Sequence, residues 1–583
     1  MINFSLSRTR TFVLVIVFAS LFLVYIQYEN REKQPEEHSL TNVSNIDQTK
    51  TSKESENNFE YADDITPQFL AELDLQTSDC PNYVDYSKKP HPPYSAGKYK
   101  YPYMRPAPKC RTFTSLSLEK LISDLKRKLK DPDLARLTEN ALPNTLDTTI
   151  LWHLAGDANS PPETFVVTGD IHAEWLRDSA RQLSVFQPLV KYDEQLKNLI
   201  VGAIRTQEKY VIKAPYCNAF HPPPASGVKK GDSAVDDVRP KPDWRYVFEC
   251  KYEIDSLASF LTLTNDFIEN YNGDVSVITP SWITAYERVL TVLKRESQPL
   301  FDPETGKVLP SMYAFKRKTN IGTETLPLDG AGNPVNFNTG LVRSAFRPSD
   351  DATILQFFVP GNAHMLTELK RTLQNILLKL PDTFEVENHI RYTEMFIKNI
   401  ENGLKEHAIV NHPKWGKVYA YEVDGYGGNV FMDDANIPSL LSLPDIGFLD
   451  IKDEVYQNTR KMILSKLGNP YFLHGDFFEG IGGPHIGTSN AWPMSLLMRI
   501  RTTDDDKEIL DNLEKVMNST AALGLLHESV NVGKPGGKDY TRPWFAWCNS
   551  EFGKTILHLA KHKPHLIFQD EYATPYSIQL LFS

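Results

Sequence analysis

The sequence predicts an all-α body built from helix pairs, carried behind an apolar N-terminal span. Three observations predict it. Apolar residues recur at helical spacing over most of the chain from about Ser115 onward, clean two-residue alternation is scarce, and one uncharged run lies near the N-terminus. A chain of helix pairs of this length suits a closed toroid, although periodicity by itself leaves another large all-α fold open.

The N-terminal run comes first. Thr11 to Tyr28 carry no charge and are mostly Val, Leu, Ile, Phe and Tyr. As a helix this run is about 27 Å long, enough for a thin bilayer core. Arg8 and Arg10 precede it, which predicts a cytosolic tail over 1–10 and a transmembrane signal anchor over 11–28. A cleaved signal peptide is the alternative, but the run exceeds a usual h-region and no A-x-A site follows. Residues 29–79 are rich in Glu, Asn, Ser, Lys and Thr and predict a disordered lumenal stem. The expected product is a single-pass type II membrane protein. A short span with a stem favours the Golgi, with the endoplasmic reticulum or vacuole open. Sequons stand at Asn42, in the stem, and at Asn518, inside a helical pattern.

Residues 80–583 form the expected body. Their first thirty or so are irregular and rich in Pro, Tyr and Lys. Leu118, Leu121, Ile122, Leu125 and Leu129 then share one helical face behind a Ser117 cap. The pattern returns at Leu196–Ile204 and Leu366–Leu380, and near 255–263, 281–295, 388–405, 452–467, 505–523 and 550–561. Composition is that of a globular protein, at 41% hydrophobic and 23% charged. A net charge of −11 argues against a nucleic-acid partner, whose binders carry a basic footprint. Of the five cysteines none forms a C-x-x-C pair; Cys80 with Cys110 and Cys217 with Cys250 would bridge in an oxidising compartment, though five cysteines allow many connectivities.

The loops concentrate Trp, His, Asp, Glu, Arg and Gly in short packets. Residues 168–179 hold Asp170, Glu174, Trp175, Arg177 and Asp178. Carboxylates and a guanidinium can fork onto vicinal hydroxyls while an indole covers a sugar ring; a helix start with Asp170 as cap and Glu174 and Arg177 as a surface pair accounts for the same residues. Glu253 and Asp255 could bind hydroxyls or cap the next helix. In 346–352, Arg347 and Pro348 lead into Ser349, Asp350 and Asp351. Neighbouring carboxylates could keep one protonated for general-acid work, although Arg347 and a helix N-terminus would oppose that, and a doubly acidic cap is the plain alternative. Glycine-rich loops follow at 421–436 and at 480–485, the latter ending in His485 and lacking the lysine of a phosphate loop. Finally Glu528 ends an apolar stretch, with Arg542, Trp544, Phe545 and Trp547 a loop away. Such a carboxylate could activate water; the aromatics, Trp547 above all, also read as core.

Together the packets TGDIHAEWLRDSA (168–180), YEIDSL (252–257), FRPSDDA (346–352), MDDANIPSLLSLP (432–444), GGPHIG (482–487) and HES…YTRPWFAWCNSEFG (527–553) resemble glycoside hydrolase family 125, fungal members included. The resemblance implies an (α/α)6 barrel and inverting exo-α-1,6-mannosidase activity on mannose-containing glycans, with neither metal nor cofactor. It places the general acid in FRPSDDA, with Asp351 preferred over Asp350, and the general base at Glu528. Asp170, Trp175, Arg177 and Asp178 are expected to line the mannose pocket, and Glu253, Asp255, Arg347, His485, Arg542 and Trp544 to contribute to binding. The stretch near 217–245 departs from the bacterial pattern and is expected to reshape substrate access. An α-glucosidase-like barrel and a non-catalytic glycan-binding protein are the competing readings. Oligomeric state leaves no trace in the sequence.

Overall fold

A computed structural model describes residues 65–583 apart from 158, 159 and 235. The expected tail, anchor and most of the stem therefore lie outside the described residues. Within them, no helix is long and apolar enough to cross a membrane.

Thirteen helices of nine or more residues run through the described residues. They are α1 (Pro67–Gln76), α2 (Leu116–Lys128), α3 (Pro132–Ala141), α4 (Leu176–Ser184), α5 (Glu194–Lys213), α6 (Ile254–Asn270), α7 (Pro280–Glu296), α8 (Val359–Asn375), α9 (Glu387–Gly403), α10 (Glu454–Ile463), α11 (Pro493–Arg501), α12 (Asp506–Met517) and α13 (Ala546–His562). Helix α1 falls inside the span read as stem. Thr66 caps it and Pro67 opens it, local signals that outweigh a polar composition, and Asp74 accepts a bond from the Lys109 amide.

Burial separates two sets of helices. Every residue of α4 is buried, and most of α6, α8, α11 and α13. Helix α9 buries only Thr393, Phe396, Ile400 and Gly403, a single stripe. The buried helices pack in succession: α4 on α6, α6 on α8, α11 on α13, and α13 back onto α4. Others cover them, with α5, more deeply buried than α9, packing against α6 and α7, α9 against α8, and α12 against α11. Residues 432–443, between α9 and α10 in the chain, are buried without regular structure.

Caps fix where the helices begin. Ser115, not Ser117, caps α2 by accepting the Leu118 amide at 3.2 Å. Its hydroxyl also donates to Asp193 at 2.6 Å, while the other oxygen of Asp193 caps α5. The strands are short. One antiparallel sheet joins β1 (Glu174–Trp175), β2 (Ala219–Phe220) and β3 (Val247–Glu249) in that order, pairing Trp175 with Ala219 and Ala219 with Glu249. A second places β5 (Glu422–Val423) between β4 (Phe357–Phe358) and β6 (Asn429–Val430). Strands β1, β3 and β4 lead into α4, α6 and α8, so the sheets gather the N-terminal ends of three buried helices. Both expected disulfides are present, Cys80–Cys110 and Cys217–Cys250, and Cys548 is a buried free thiol.

The buried helices are tied by an ionic clamp. Arg181 of α4 donates to Glu551 of α13 at 2.7 Å and to Asp445 at 2.9 Å. Arg501 of α11 reaches the same two carboxylates, at 2.5 Å and 2.9 Å. Burial pushes Glu551 upward, but the two guanidinium groups hold it down at about 2. Removing one partner of a buried ion pair costs about 3–5 kcal/mol, because a charge is left uncompensated. Arg501→Leu is expected to lose stability of that order in denaturant unfolding, whereas a loss below about 1 kcal/mol would show that the clamp does not tie these helices.

Candidate active site

A small cavity opens where the loops before the buried helices meet. Its lining includes Trp175, Arg177 and Asp178 from β1 and α4, Asp350, His485, Trp492, and Glu528 with Arg542, Phe545 and Trp547. Seven sequence-predicted residues are in this wall: Trp175, Arg177, Asp178, Asp350, His485, Glu528 and Arg542.

One wall is organised by Arg177, in the first turn of α4. Glu174 and Arg177 are not the surface pair that a simple helix start predicts; both are buried, and β1 rather than an Asp170 cap precedes the helix. Arg177 Nη1 donates to Glu253 at 2.5 Å and to Asp255 at 3.2 Å, and Nη2 lies 3.6 Å from Asp178 and 3.7 Å from Asp350. Glu253 and Asp255 thus stand behind the guanidinium rather than in the cavity, and neither side chain caps α6. Burial pushes the carboxyls of Asp178 and Asp255 up to about 6 against the pull of Arg177. The guanidinium lies 5.6 Å from the Trp547 ring, whose N–H donates to Glu551 of the clamp at 3.1 Å. Trp547 is therefore core and cavity wall together.

The Asp350–Asp351 pair divides by geometry. No helix follows it: Arg347 to Asp351 form a tight turn closed by the Asp350 amide on the Arg347 carbonyl, with Asp350 at φ +64°. The Asp350 side chain is 21% exposed and lines the cavity. Its Oδ1 accepts from Asn218 Nδ2 at 3.1 Å. Burial opposes ionisation of Asp350, but Lys251 and Arg177 draw it down to about 2. The Asp351 side chain is 1% exposed and faces inward, accepting from Ser349 Oγ at 3.1 Å and standing 3.9 Å from His485. Arg347 lies beneath the turn and binds Glu422 at 2.6 Å instead of either aspartate.

The other wall carries Glu528. Asn490 Nδ2 donates to Ser529 Oγ at 3.1 Å, Ser529 to Thr541 at 3.0 Å, and Thr541 to Glu528 Oε2 at 2.8 Å. The remaining oxygen of Glu528 is 3.6 Å from Arg542 Nε, which also stands 3.7 Å from Asp170 at the rim. Trp544 is a support, not a lining residue: it is 1% exposed, edge-on to Tyr83 at 4.9 Å. Its other side meets Gly169, at φ +144°, where a β-carbon would come within 3.4 Å of the indole. His485 faces both walls; burial lowers its affinity for a proton, but Asp351 first, then Asp350 and Glu528, raise it to about 9.

Sequence reasoning passed over Asn218, Lys251, Asn436, Trp492 and Phe545 as functional candidates. Asn218 follows a bridged cysteine, the one local hint. Trp492 precedes Pro493 at the start of α11. The indole N–H groups of Trp175 and Trp492 have no protein hydrogen-bond partner among the described residues. Among those residues, no group of three or more His, Cys, Asp or Glu side chains is placed to hold a metal ion.

Comparison with known proteins gives this site its context. The chain is 52% identical over 500 residues to the meiotically up-regulated gene 157 protein of Schizosaccharomyces pombe, covering 86% of this chain and 96% of that one. It superposes with a TM-score of 0.67 and 31% identity on a metal-independent α-mannosidase of Streptococcus pneumoniae, solved as a non-productive complex with α-1,6-mannobiose, over 76% of this chain and 98% of that one. Residues 131–557 match the family described as metal-independent α-mannosidase, GH125. The helix-rich fold with its carboxylate-lined cavity is accordingly that of a glycoside hydrolase, and the chain belongs to the metal-independent α-mannosidases of family GH125.

Proposed function

We propose that the protein removes terminal α-1,6-linked mannose from glycans by a single inverting displacement, with Asp350 as general acid and Glu528 as general base, in an (α/α)6 barrel. The observation that carries this reading is the pair of carboxyls in one small cavity, each held by its own neighbours. Asp350 is set by Asn218 and Arg177, and Glu528 by Thr541 and Arg542. The cavity is small and lined by carboxylates, guanidinium groups and indole rings, the side chains that grip and cover a sugar. The α-1,6-mannobiose seen with the Streptococcus pneumoniae relative supports the linkage. The succession of buried helices, covered by others, supports the barrel.

In this reading Asp350 gives its proton to the glycosidic oxygen as the bond from that oxygen to the anomeric carbon breaks. Glu528 takes a proton from water as the water oxygen bonds to the same carbon from the opposite face. Inversion requires room for that water, about 6.5–9.5 Å between the two carboxyls. Asp350 is preferred over Asp351 because only Asp350 reaches the cavity; Asp351 instead holds His485. The rings of Trp175 and Trp492 line the cavity and can cover the apolar face of a sugar.

Residues 80–583 incubated with α-1,6-, α-1,3- and α-1,2-linked mannobiose are expected to cleave the 1,6 linkage and release β-mannose first, followed by proton NMR, with no effect of EDTA. Glu528→Gln is expected to lose at least about 10³-fold in kcat. Release of α-mannose would overturn inversion, and turnover confined to another linkage would overturn the substrate.

We also propose that residues 11–28 anchor the protein as a type II membrane protein with a lumenal body, most simply in the Golgi. The uncharged run behind Arg8 and Arg10 supports this. The full chain should then resist alkaline carbonate extraction from membranes and be protected from added protease in sealed vesicles; extraction with the soluble fraction would contradict it.

A further inference from the structure

The wall around Arg177 holds more acid than base. Asp178, Glu253, Asp255 and Asp350 surround it, and Lys251 is the second cation. With every group ionised these four acids exceed Arg177 and Lys251 by two charges; Glu249 competes for Lys251 at 3.4 Å, and His485 offsets part of the excess from the cavity side. Hydrogen bonding shows where the shortage is felt. Asn218 Oδ1 accepts the Lys251 amide at 3.0 Å, which turns its Nδ2 toward the acids. Nδ2 has two hydrogens but three carboxylate oxygens near it: Asp350 Oδ1 at 3.1 Å, Glu253 Oε1 at 3.2 Å and Glu249 Oε2 at 3.3 Å. Glu253 Oε2 is already taken by Arg177 and by Ser256 Oγ at 2.7 Å. Glu253 Oε1 and Asp350 Oδ1 therefore meet at one amide whose two hydrogens they share with Glu249, and the two carboxyls lie within hydrogen-bonding reach of each other.

We infer that Glu253 is the positioning residue of the acid: it and Asp350 hold a single proton between them, and this is the proton delivered to the leaving oxygen. The inference rests on the reading of Asp350 as general acid. At the moment of cleavage the proton passes from Glu253 to Asp350 and from Asp350 to the glycosidic oxygen as its bond to the anomeric carbon breaks. Both carboxylates are then ionised, with Arg177 and Lys251 holding the added charge, and the pair regains its proton from solvent once product leaves.

The charged groups facing the pair agree with this. Burial drives the Glu253 carboxyl well above its usual range, Arg177 opposes it, and Asp350 and Asp255 reinforce it. Lys251, Arg177 and His485 favour ionised Asp350, while Asp178 and Asp255 are like charges nearby. A lone Asp350 would be ionised through neutral pH; the shared proton extends its acid form upward.

The test measures kcat/KM against pH for the wild type, Glu253→Gln and Asp350→Asn, on α-1,6-mannobiose and on an aryl α-mannoside whose leaving group needs no protonation. In Glu253→Gln the proton rests on Asp350 alone, which Lys251 and Arg177 keep ionised. The basic limb on mannobiose should then move down by at least about one pH unit, with roughly tenfold or greater loss at pH 7. Loss on the aryl substrate should stay within about threefold, with KM little changed. Glu253→Asp, which keeps a carboxyl, should restore part of the basic limb. A wild-type pH profile in Glu253→Gln, equal losses on both substrates, or a Glu253→Asp profile identical to that of Gln would overturn the inference. Asp350→Asn separates the two readings: selective loss on mannobiose upholds Asp350 as the acid whatever Glu253 does, and equal loss on both substrates overturns the acid assignment and this inference with it.

Discussion

Glu551 is buried between the guanidinium groups of Arg181 and Arg501, and the placement of the site depends on that ion pair. Buried ion pairs seldom add stability over apolar packing of the same volume, yet losing one partner is costly. Here the return is placement. The clamp joins α4, α11 and α13 with Asp445, and the same Glu551 carboxylate accepts the indole N–H of Trp547. Trp547 lies against Arg177, and Arg177 orders Asp178, Glu253, Asp255 and Asp350. A chain of charge and ring contacts thus runs from helix packing to the acid. Each link before Asp350 is buried, so the cavity wall has little freedom to rearrange.

The two walls differ in how they hold their carboxyls. Asp350 and its neighbours have too few cations and donors, which keeps a proton in the cluster. Glu528 instead receives a relay of hydroxyls that ends on one oxygen, leaving the other toward Arg542 and the cavity. A proton-retaining carboxyl facing one held by hydroxyl and guanidinium donors matches the division of labour in acid–base glycoside hydrolysis. His485 completes the arrangement, a cation drawn by Asp351, Asp350 and Glu528 at once. We read Asp350 as the acid in place of the Asp351 that the sequence favoured, because Asp350 lines the cavity while Asp351 is buried 3.9 Å from His485.

Much of the outer layer was legible because its helices face solvent on one side. The Leu118, Leu121, Ile122 and Leu125 stripe marks α2 to within a residue or two, and only the cap moved, from Ser117 to Ser115. Helices α4 and α11 were missed because nine residues give a period little room, and in α4 the row Leu176, Ala180 and Leu183 is set among polar residues that are themselves buried. The two-residue strands β1, β2, β4, β5 and β6 are too short to show alternation. Packets of polar residues found most of the site, since Arg177, Asp178, Glu528 and Arg542 are all in them. What the packets could not show was depth. Asp350 and Asp351 are equivalent as letters, and only the positive φ of Asp350 turns one into the cavity and the other into the protein. Asn218 was hidden for a related reason: its role depends on a disulfide and a strand pairing that bring it to Glu253, 35 residues later.

The central claim is that Asp350 and Glu528 act on one terminal mannose from opposite sides. A crystal structure of Glu528→Gln with α-1,6-mannobiose tests it most directly. The account predicts the terminal mannose in the cavity between Trp175 and Trp492, its glycosidic oxygen within about 2.6–3.2 Å of the Asp350 carboxyl, and the side chain at 528 across the ring about 6.5–9.5 Å from it with a water between. A glycosidic oxygen on any other side chain, or the two groups only about 5–5.5 Å apart, would contradict it.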